Sequence, residues 1–337
     1  MLVGMSEPRI VVAGAGSVGC YVGGLLAAAG RQVTLLCRER IASEVRRHGL
    51  HLTSLDDLDL KVGAGTVTLA TDPQALAAAD IVVVTVKSGA TAELAGLIAT
   101  HAPPAAPVVS LQNGVGNVAV LRAGLSHRTV LPGMVPFNVV HAGAGHFHRG
   151  TSGAIVIADG HDGVTRALSV PHLTVETSSD MPAVLWGKLL INLNNALNAL
   201  SGLTLHEQLH QRPWRKLLAA QQREALAVLA LAGIKPWSMG PLPVSLLPWV
   251  LQLPTPLFRL LARSSVRIDR RARSSMWEDL ERRRSTEIDG LQGAVVEFAE
   301  RFGRRVPVTR RVRDAIKQAE AAGTGTPHLR PQDLAEI

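Results

Sequence analysis

The chain has 337 residues, 47% of them hydrophobic and 18% charged, with 35 Lys and Arg against 27 Asp and Glu for a formal net charge of +8. That length exceeds what one hydrophobic core usually supports, so two domains are expected, and no segment is polar enough to read as long disorder. The basic residues are scattered and only five Phe, one Tyr and five Trp are present to stack on bases, which argues against nucleic acid. A positive field suits instead the phosphates of a cofactor and a carboxylate substrate.

The N-terminal Met1–Arg9 lacks a basic region followed by an apolar core, so no signal peptide is expected. Residues Arg9–Arg38 then read as strand, glycine turn, helix and strand. The apolar run Ile10–Val12 suits a strand buried on both faces, and Gly14-Ala15-Gly16-Ser17-Val18-Gly19 matches G-x-G-x-x-G. Gly14 serves the sharp turn, Gly16 the close approach of a pyrophosphate, and Gly19 the packing of helix on sheet. The motif follows a strand, opens the apolar helix Val18–Ala29 and leads to a second strand, Gln32–Cys37, which lifts it above a chance match.

A carboxylate at the end of that second strand would receive the ribose hydroxyls of NAD; the residue there is Arg38. A guanidinium can instead clamp a 2′-phosphate, with Arg40 close enough to help, so NADP(H) is the expected cofactor. Glu39 stands between the two arginines and leaves an inward orientation open. Cys20 and Cys37 both fall on apolar faces of this unit and are expected to be free, buried thiols in a reducing cytoplasm.

A helix is expected at Ile41–Arg47, then strand-like pieces at Leu58–Val62 and Val67–Ala70 as a local antiparallel addition. The parallel rhythm resumes with a strand at Ile81–Val86, a helix at Thr91–Ala99, a strand at Val108–Leu111, a helix at Gly116–Ala123 and a strand near Val130. In a doubly wound sheet the ligand lies outside the carboxyl ends of the strands. Those ends carry Lys87-Ser88 and Gln112-Asn113-Gly114. A solvated lysine and a plain Asn-Gly turn remain open alternatives to cofactor contacts. Pro136–Ser178 reads as β-rich, ending near Val175. Its His141, His146 and His148 read as polar hairpin positions, and no metal site is expected.

After Asp180 helical periodicity takes over, giving domains of 1–179 and 180–337. Ser179 or Asp180 can cap a helix with Pro182 in its first turn, running to about Leu200. On it Lys188, Asn192 and Asn195 share one face at i, i+4 and i+7. A lysine desolvated there can donate a proton, since burial lowers an ammonium pKa; a narrow solvent stripe is the alternative. The uncharged run Pro236–Phe258 is apolar, but Pro236, Pro241, Pro243, Pro248, Pro254 and Pro256 would break a spanning helix, so a buried or lid-forming segment is expected and no stable membrane insertion. Further on, Thr286 can cap a helix, with Asp289 completing a capping box, that runs to Phe302 and closes at Gly303. Residue chemistry leaves open whether Glu287 complements the helix dipole or takes part in catalysis.

GAGSVG, VKS, LQNGVG, WGKLLIN, SSMWEDL and STEIDGLQGAVV occur in the order found in the ketopantoate reductase (2-dehydropantoate 2-reductase) family, which the chain resembles over nearly its whole length. The resemblance implies an α/β fold, with an N-terminal Rossmann-type doubly wound sheet followed by an all-α C-terminal domain like that of 6-phosphogluconate dehydrogenase. It implies a cytoplasmic enzyme that reduces ketopantoate to pantoate with NADPH, a step of pantothenate and coenzyme A biosynthesis. Gly14, Ala15, Gly16, Ser17, Val18, Gly19, Arg38, Lys87 and Asn113 would bind the cofactor. Lys188 would be the general acid and Glu287 would bind the substrate hydroxyl. Ser275 would hold the carboxylate, and Asn113, Asn192 and Asn195 would position the substrate.

Two departures stand out. Ala196 occupies the place of the family's second asparagine, with Asn195 one step earlier, and the proline-rich segment looks longer than in compact members. A reductase of another 2-oxo acid or imine is therefore one alternative and a non-catalytic NADP(H) sensor another; retention of Lys188, Ser275 and Glu287 favours an enzyme. The substrate is expected in a cleft between the domains with a hinge near residue 180, and an amphipathic helical second domain suggests a homodimer.

Overall fold

Four-residue apolar runs with no polar alternation can only be satisfied between two covered faces, and Ile81–Val84 is buried at all four positions. In the computed structural model, which describes residues 7–240, 242–262 and 272–334, that run is a central strand. Pro241 of the proline-rich segment and the first six residues of the N-terminal reading lie outside the described residues. The chain divides into two compact units, Met1–Met181 and Pro182–Ile337.

The first unit has strands β1 (Arg9–Ala13), β2 (Gln32–Leu36), β3 (Leu50–Ser54), β4 (Asp59–Val62), β5 (Thr68–Ala70) and β6 (Ile81–Val84), then β7 (Val108–Ser110), β8 (Val130–Met134), β9 (Val139–Gly143), β10 (His146–Arg149), β11 (Ile155–Ala158) and β12 (Val175–Ser178). Eight of them form a sheet in the order β12-β11-β8-β7-β6-β1-β2-β5. From β8 to β5 neighbouring strands are parallel; β11 joins β8 antiparallel and β12 joins β11 parallel. The chain reverses its direction of progress between β1 and β6, the switch point of a doubly wound sheet, as expected. Helices α1 (Ser17–Ala28), α2 (Glu39–His48), α3 (Thr91–His101), α4 (Asn117–Gly124) and α5 (Asp162–Leu168) accompany the strands. Ile10 and Val12 join the apolar cluster on one sheet face, with Cys20, Tyr21 and Leu25 of α1. Val11 and Ala13 join the other, with Leu94 and Ile98 of α3.

The expected antiparallel addition is half corrected. Asp59–Val62 is antiparallel, paired with β3 in a separate four-stranded sheet of order β4-β3-β10-β9. Thr68–Ala70 instead extends the main sheet, parallel to β2, because the Ala70 carbonyl takes the Cys37 amide hydrogen (2.9 Å) that ends the β2 ladder. Cys20 and Cys37 are free and buried.

The second unit is helical: α6 (Met181–Asn192), α7 (Asn194–Ser201), α8 (Leu205–His210), α9 (Arg212–Leu231), α10 (Leu247–Gln252), α11 (Thr255–Ala262), α12 (Ser275–Glu281), α13 (Ala294–Arg301) and α14 (Pro307–Ala322). The single helix expected from residue 181 to 200 is two, interrupted at Leu193. The helix expected from Thr286 also differs. A π-helical turn, Asp289–Gly293, precedes α13. No Thr286–Asp289 box forms, because the Asp289 carboxylate pairs with Lys317 (2.5 Å) while Thr286 Oγ1 accepts from the Ile288 amide (3.2 Å). Gly303 does close the helix with φ +60°.

The proline-rich run is neither wholly buried nor helical throughout. Val244, Pro248, Leu251 and Phe258 pack inward while Trp249 and Leu260 are each 66% exposed. No described helix is long and apolar enough to cross a membrane.

Candidate active site

The glycine turn between β1 and α1 has the geometry each residue was expected to supply. Gly14 has φ +82°, and a Cβ there would collide with Val86. A Cβ on Gly19 would press on Thr85 and Val12, so only glycine lets α1 lie this close to β1 and β6. Gly16 is exposed, and the nearest atom a Cβ would meet is 3.9 Å away. The first turn of α1 carries no acidic residue and its N-cap, Gly16, makes no side-chain hydrogen bond. Amides left uncapped at a helix N-terminus, behind a turn with open space, fit the pyrophosphate of a dinucleotide.

At the end of β2, Arg38 is exposed and begins α2. Glu39, the carboxylate between the two arginines, is turned back along its helix to Ser43 (2.6 Å) and Arg46 (2.7 Å), which hold its pKa below the usual range. Arg40 faces Glu44 at 3.7 Å.

The carboxyl ends of β6 and β7 are tied together by a buried amide. Gln112 Nε2 donates to the Val86 carbonyl (3.0 Å) and to Thr91 Oγ1 (2.8 Å), while its Oε1 accepts from Ser110 (3.0 Å). Asn117 donates to the Asn113 carbonyl (2.6 Å) and to Ser88 Oγ (3.1 Å). This network fixes the turn that presents Asn113, where Gly114 takes φ +86°, and the loop that presents the exposed Lys87.

In the second unit Lys188 lies on α6 with Asn192, which is 8% exposed. Burial pushes the Lys188 ammonium down from 10.5 to about 8. Where α6 gives way to α7, Gln222 Nε2 donates to the Leu190 carbonyl (3.1 Å) and Gln292 Nε2 to that of Leu193 (2.9 Å). Asn195, on α7, is part-buried, and its carbonyl accepts from Ser274 Oγ (3.0 Å). The Ser274 amide donates to Asn198 Oδ1 (2.8 Å). Ser274 also caps α12, taking the Trp277 amide (3.1 Å), and so presents Ser275 as the first residue of that helix beside α7. Glu287 is part-buried two residues before the π-turn.

The expected residues thus gather in two sets, Gly14–Gly19, Arg38, Lys87 and Asn113 in the first unit and Lys188, Asn192, Asn195, Ser275 and Glu287 in the second. Of the amides that frame them, Gln112 was noted at its strand end without a role, and Asn117, Asn198, Gln222 and Gln292 were missed; their one signal was a polar residue inside an otherwise apolar or turn-forming run. The histidines form polar pairings around β10. Thr53 Oγ1 bonds both His146 (2.8 Å) and His148 (2.7 Å), and His141 bonds Glu44 (2.7 Å). Among the described residues no group of three His, Cys, Asp or Glu could hold a metal.

Residues 10–162 match the family described as Ketopantoate reductase PanE/ApbA, and residues 180–320 match its C-terminal domain. The chain is 32% identical over 332 residues to a 2-dehydropantoate 2-reductase of Halobacterium salinarum, covering 94% of this chain and 100% of that protein. It is 28% identical to one of Archaeoglobus fulgidus over 94% and 99% of the two chains. A crystal structure of a PanE/ApbA family ketopantoate reductase from Ralstonia eutropha superposes with a TM-score of 0.79 at 30% identity, covering 94% and 99%. The fold is also that of D-mandelate dehydrogenase in complex with NADH and anilino(oxo)acetate, at a TM-score of 0.76, 19% identity and coverage of 94% and 99%. The family read from the motifs is therefore borne out: the chain belongs to the ketopantoate reductases, NAD(P)-dependent oxidoreductases acting on CH–OH groups.

Proposed function

We propose that the chain reduces ketopantoate to pantoate with NADPH, as a cytoplasmic step of pantothenate and coenzyme A biosynthesis. The observation that carries this reading is Lys188. Its pKa of about 8 leaves it mostly protonated at neutral pH yet able to release the proton, as a general acid requires. NADPH, when bound, supplies the hydride to the keto carbon. Lys188 Nζ gives its proton to the carbonyl oxygen, which becomes the hydroxyl of the product. Glu287 accepts a hydrogen bond from that hydroxyl, the Ser275 hydroxyl donates to the substrate carboxylate, and the amides of Asn113, Asn192 and Asn195 orient the reacting groups. The turn from Gly14 to Gly19 and Lys87 hold the cofactor.

Arg38 selects NADPH over NADH. The engagement of Glu39 with Ser43 and Arg46 supports this, because it occupies the carboxylate within α2 while Arg38 is exposed at the end of β2. A second reading, reduction of another 2-oxo acid by the same chemistry, is favoured by the buried Ala196 in place of an amide.

The test is NADPH consumption by the purified protein with ketopantoate and a panel of 2-oxo acids, NADH being run in parallel. Turnover confined to ketopantoate and NADPH is the expected result. Faster turnover of another panel member would replace the substrate, and equal rates with NADH would remove the role given to Arg38.

A further inference from the structure

Carbonyls in the last turn before a helix interruption lose their partners four residues on, and an interior carbonyl left unpaired is destabilising. At the interruption between Asn192 and Asn194, side chains from elsewhere in the fold bond one carbonyl of the last turn of α6 and that of Leu193, the residue from which α7 starts. Gln222 of α9 takes the Leu190 carbonyl and Gln292 of the π-turn takes that of Leu193. Gln292 Nε2 also reaches Gln221 Oε1 (3.1 Å), so one amide joins α9, the π-turn and the break. Gln221 and Gln292 are fully buried and Gln222 is 2% exposed.

Sites this deep in a helical core usually take leucine or methionine, because an amide must be desolvated to enter them. The π-turn serves the same end. A π-helical residue widens its turn and rotates the next stretch of helix, and such turns recur at functional sites. Here it carries Gln292 five residues after Glu287 and brings it to Leu193, the residue that follows the helix of Lys188 and Asn192.

We infer that Gln292 is a positioning residue, holding the α6–α7 break in the one geometry that places Lys188 and Asn192 for proton transfer, with Gln222 as its counterpart on α9. The inference rests on the proposed acid role of Lys188. Neither glutamine is assigned contact with substrate or cofactor.

The test uses the full chain with Gln292→Met and, separately, Gln222→Met; methionine keeps length and volume and removes the donor. The chain has six lysines, few enough for reductive methylation with ¹³C-formaldehyde to resolve each one, and Lys188→Ala assigns its signal. In the free protein the Lys188 midpoint is expected to move by at least about half a pH unit in each folded variant. With NADPH and substrate, kcat is expected to fall on the order of tenfold, its pH profile shifting alongside, while NADPH affinity is unchanged. A Lys188 midpoint unchanged in a folded variant overturns the inference whatever kcat does, since a loss of general packing alone would then explain any slower turnover. Should one variant fail to fold, the other carries the test. If wild type turned over no oxo acid, the reductase reading would fail, while the midpoint would still decide the role of Gln292.

Discussion

The backbone of Trp237 lies directly on Gly187, the residue before Lys188. The Trp237 amide donates to the Ala183 carbonyl (2.9 Å), and a Cβ on Gly187 would collide with the Trp237 carbonyl. The proline-rich segment therefore packs on the helix of the proposed acid through a contact that only glycine permits. Gly187→Ala is expected to destabilise the second unit by about 1–3 kcal/mol, the usual cost of overpacking against backbone. It should also lower kcat, with NADPH affinity intact. Urea denaturation and a fluorescence titration with NADPH check both parts; a variant with wild-type stability would show that the segment yields freely.

Lys188 carries two opposite pH dependences. As an acid it must be protonated, so kcat is expected to fall as pH rises through about 8. For stability the sign reverses. The folded pKa lies below the ordinary 10.5, so below pH 8 both states are protonated and the folded chain bears the full cost of a desolvated ammonium. Between pH 8 and 10.5 the folded chain binds fewer protons than the unfolded one, and that cost fades. Lys188→Met should melt higher than wild type at pH 7, with the gain shrinking toward pH 10, and should turn over on the order of 10²-fold more slowly. Melting curves at three pH values decide it: a lower Tm at pH 7 would mean that the lysine's contacts outweigh its desolvation.

The sequence made these residues legible where chemistry and period coincide. GAGSVG follows an apolar run and precedes a helix, so its turn could be read residue by residue in advance, and the i, i+4 spacing put Lys188 and Asn192 on one helix, whereas Asn195 at i+7 falls on the next. The break at Leu193 was not legible. Leu189, Leu190, Ile191 and Leu193 keep a helical pattern through it, and the amides that bond its two sides come from α9 and from beyond residue 285, which no local pattern displays. Thr286 and Asp289 misled for a related reason: their spacing is that of a capping box, yet Lys317, distant in sequence, takes the carboxylate. The parallel pairing of Thr68–Ala70 likewise depends on β2 across the fold and not on its own residues.

Cofactor choice turns on Arg38. Arg38→Asp is expected to raise the Kd for NADPH on the order of tenfold or more and to improve NADH binding, because a carboxylate repels a 2′-phosphate and accepts from ribose hydroxyls. Arg46→Ala should act in the same direction more weakly, by releasing Glu39 from its partner at 2.7 Å. Fluorescence titrations with both nucleotides check the pair; equal losses for NADPH and NADH would assign Arg38 to general anion attraction.

Arg215 is a buried cation whose described hydrogen bonds go to carbonyls and one hydroxyl, with no carboxylate among them. It is 0% exposed, donates to the carbonyls of Leu209 (2.8 Å), Leu251 (3.0 Å) and Leu253 (2.9 Å) and to Thr255 Oγ1 (3.3 Å), and stacks over Phe258 at 4.3 Å. Leu209 belongs to α8, while Leu251, Leu253 and Thr255 lie where α10 ends and α11 begins, so one guanidinium meets the end of the first helix and the start of the second and anchors both to α9. Desolvation lowers its pKa, but a guanidinium stays charged at any pH the fold survives. Arg215→Met would strand three carbonyls and is expected to cost about 3 kcal/mol or more. Arg215→Lys, offering a point charge where a planar fork is needed, should fall between. The loss should be local first: chymotrypsin is expected to cut near Trp249 and Leu257 faster in Arg215→Met, before the sheet of the first unit melts. Wild-type cleavage rates in that variant would show that the prolines alone hold the segment in place.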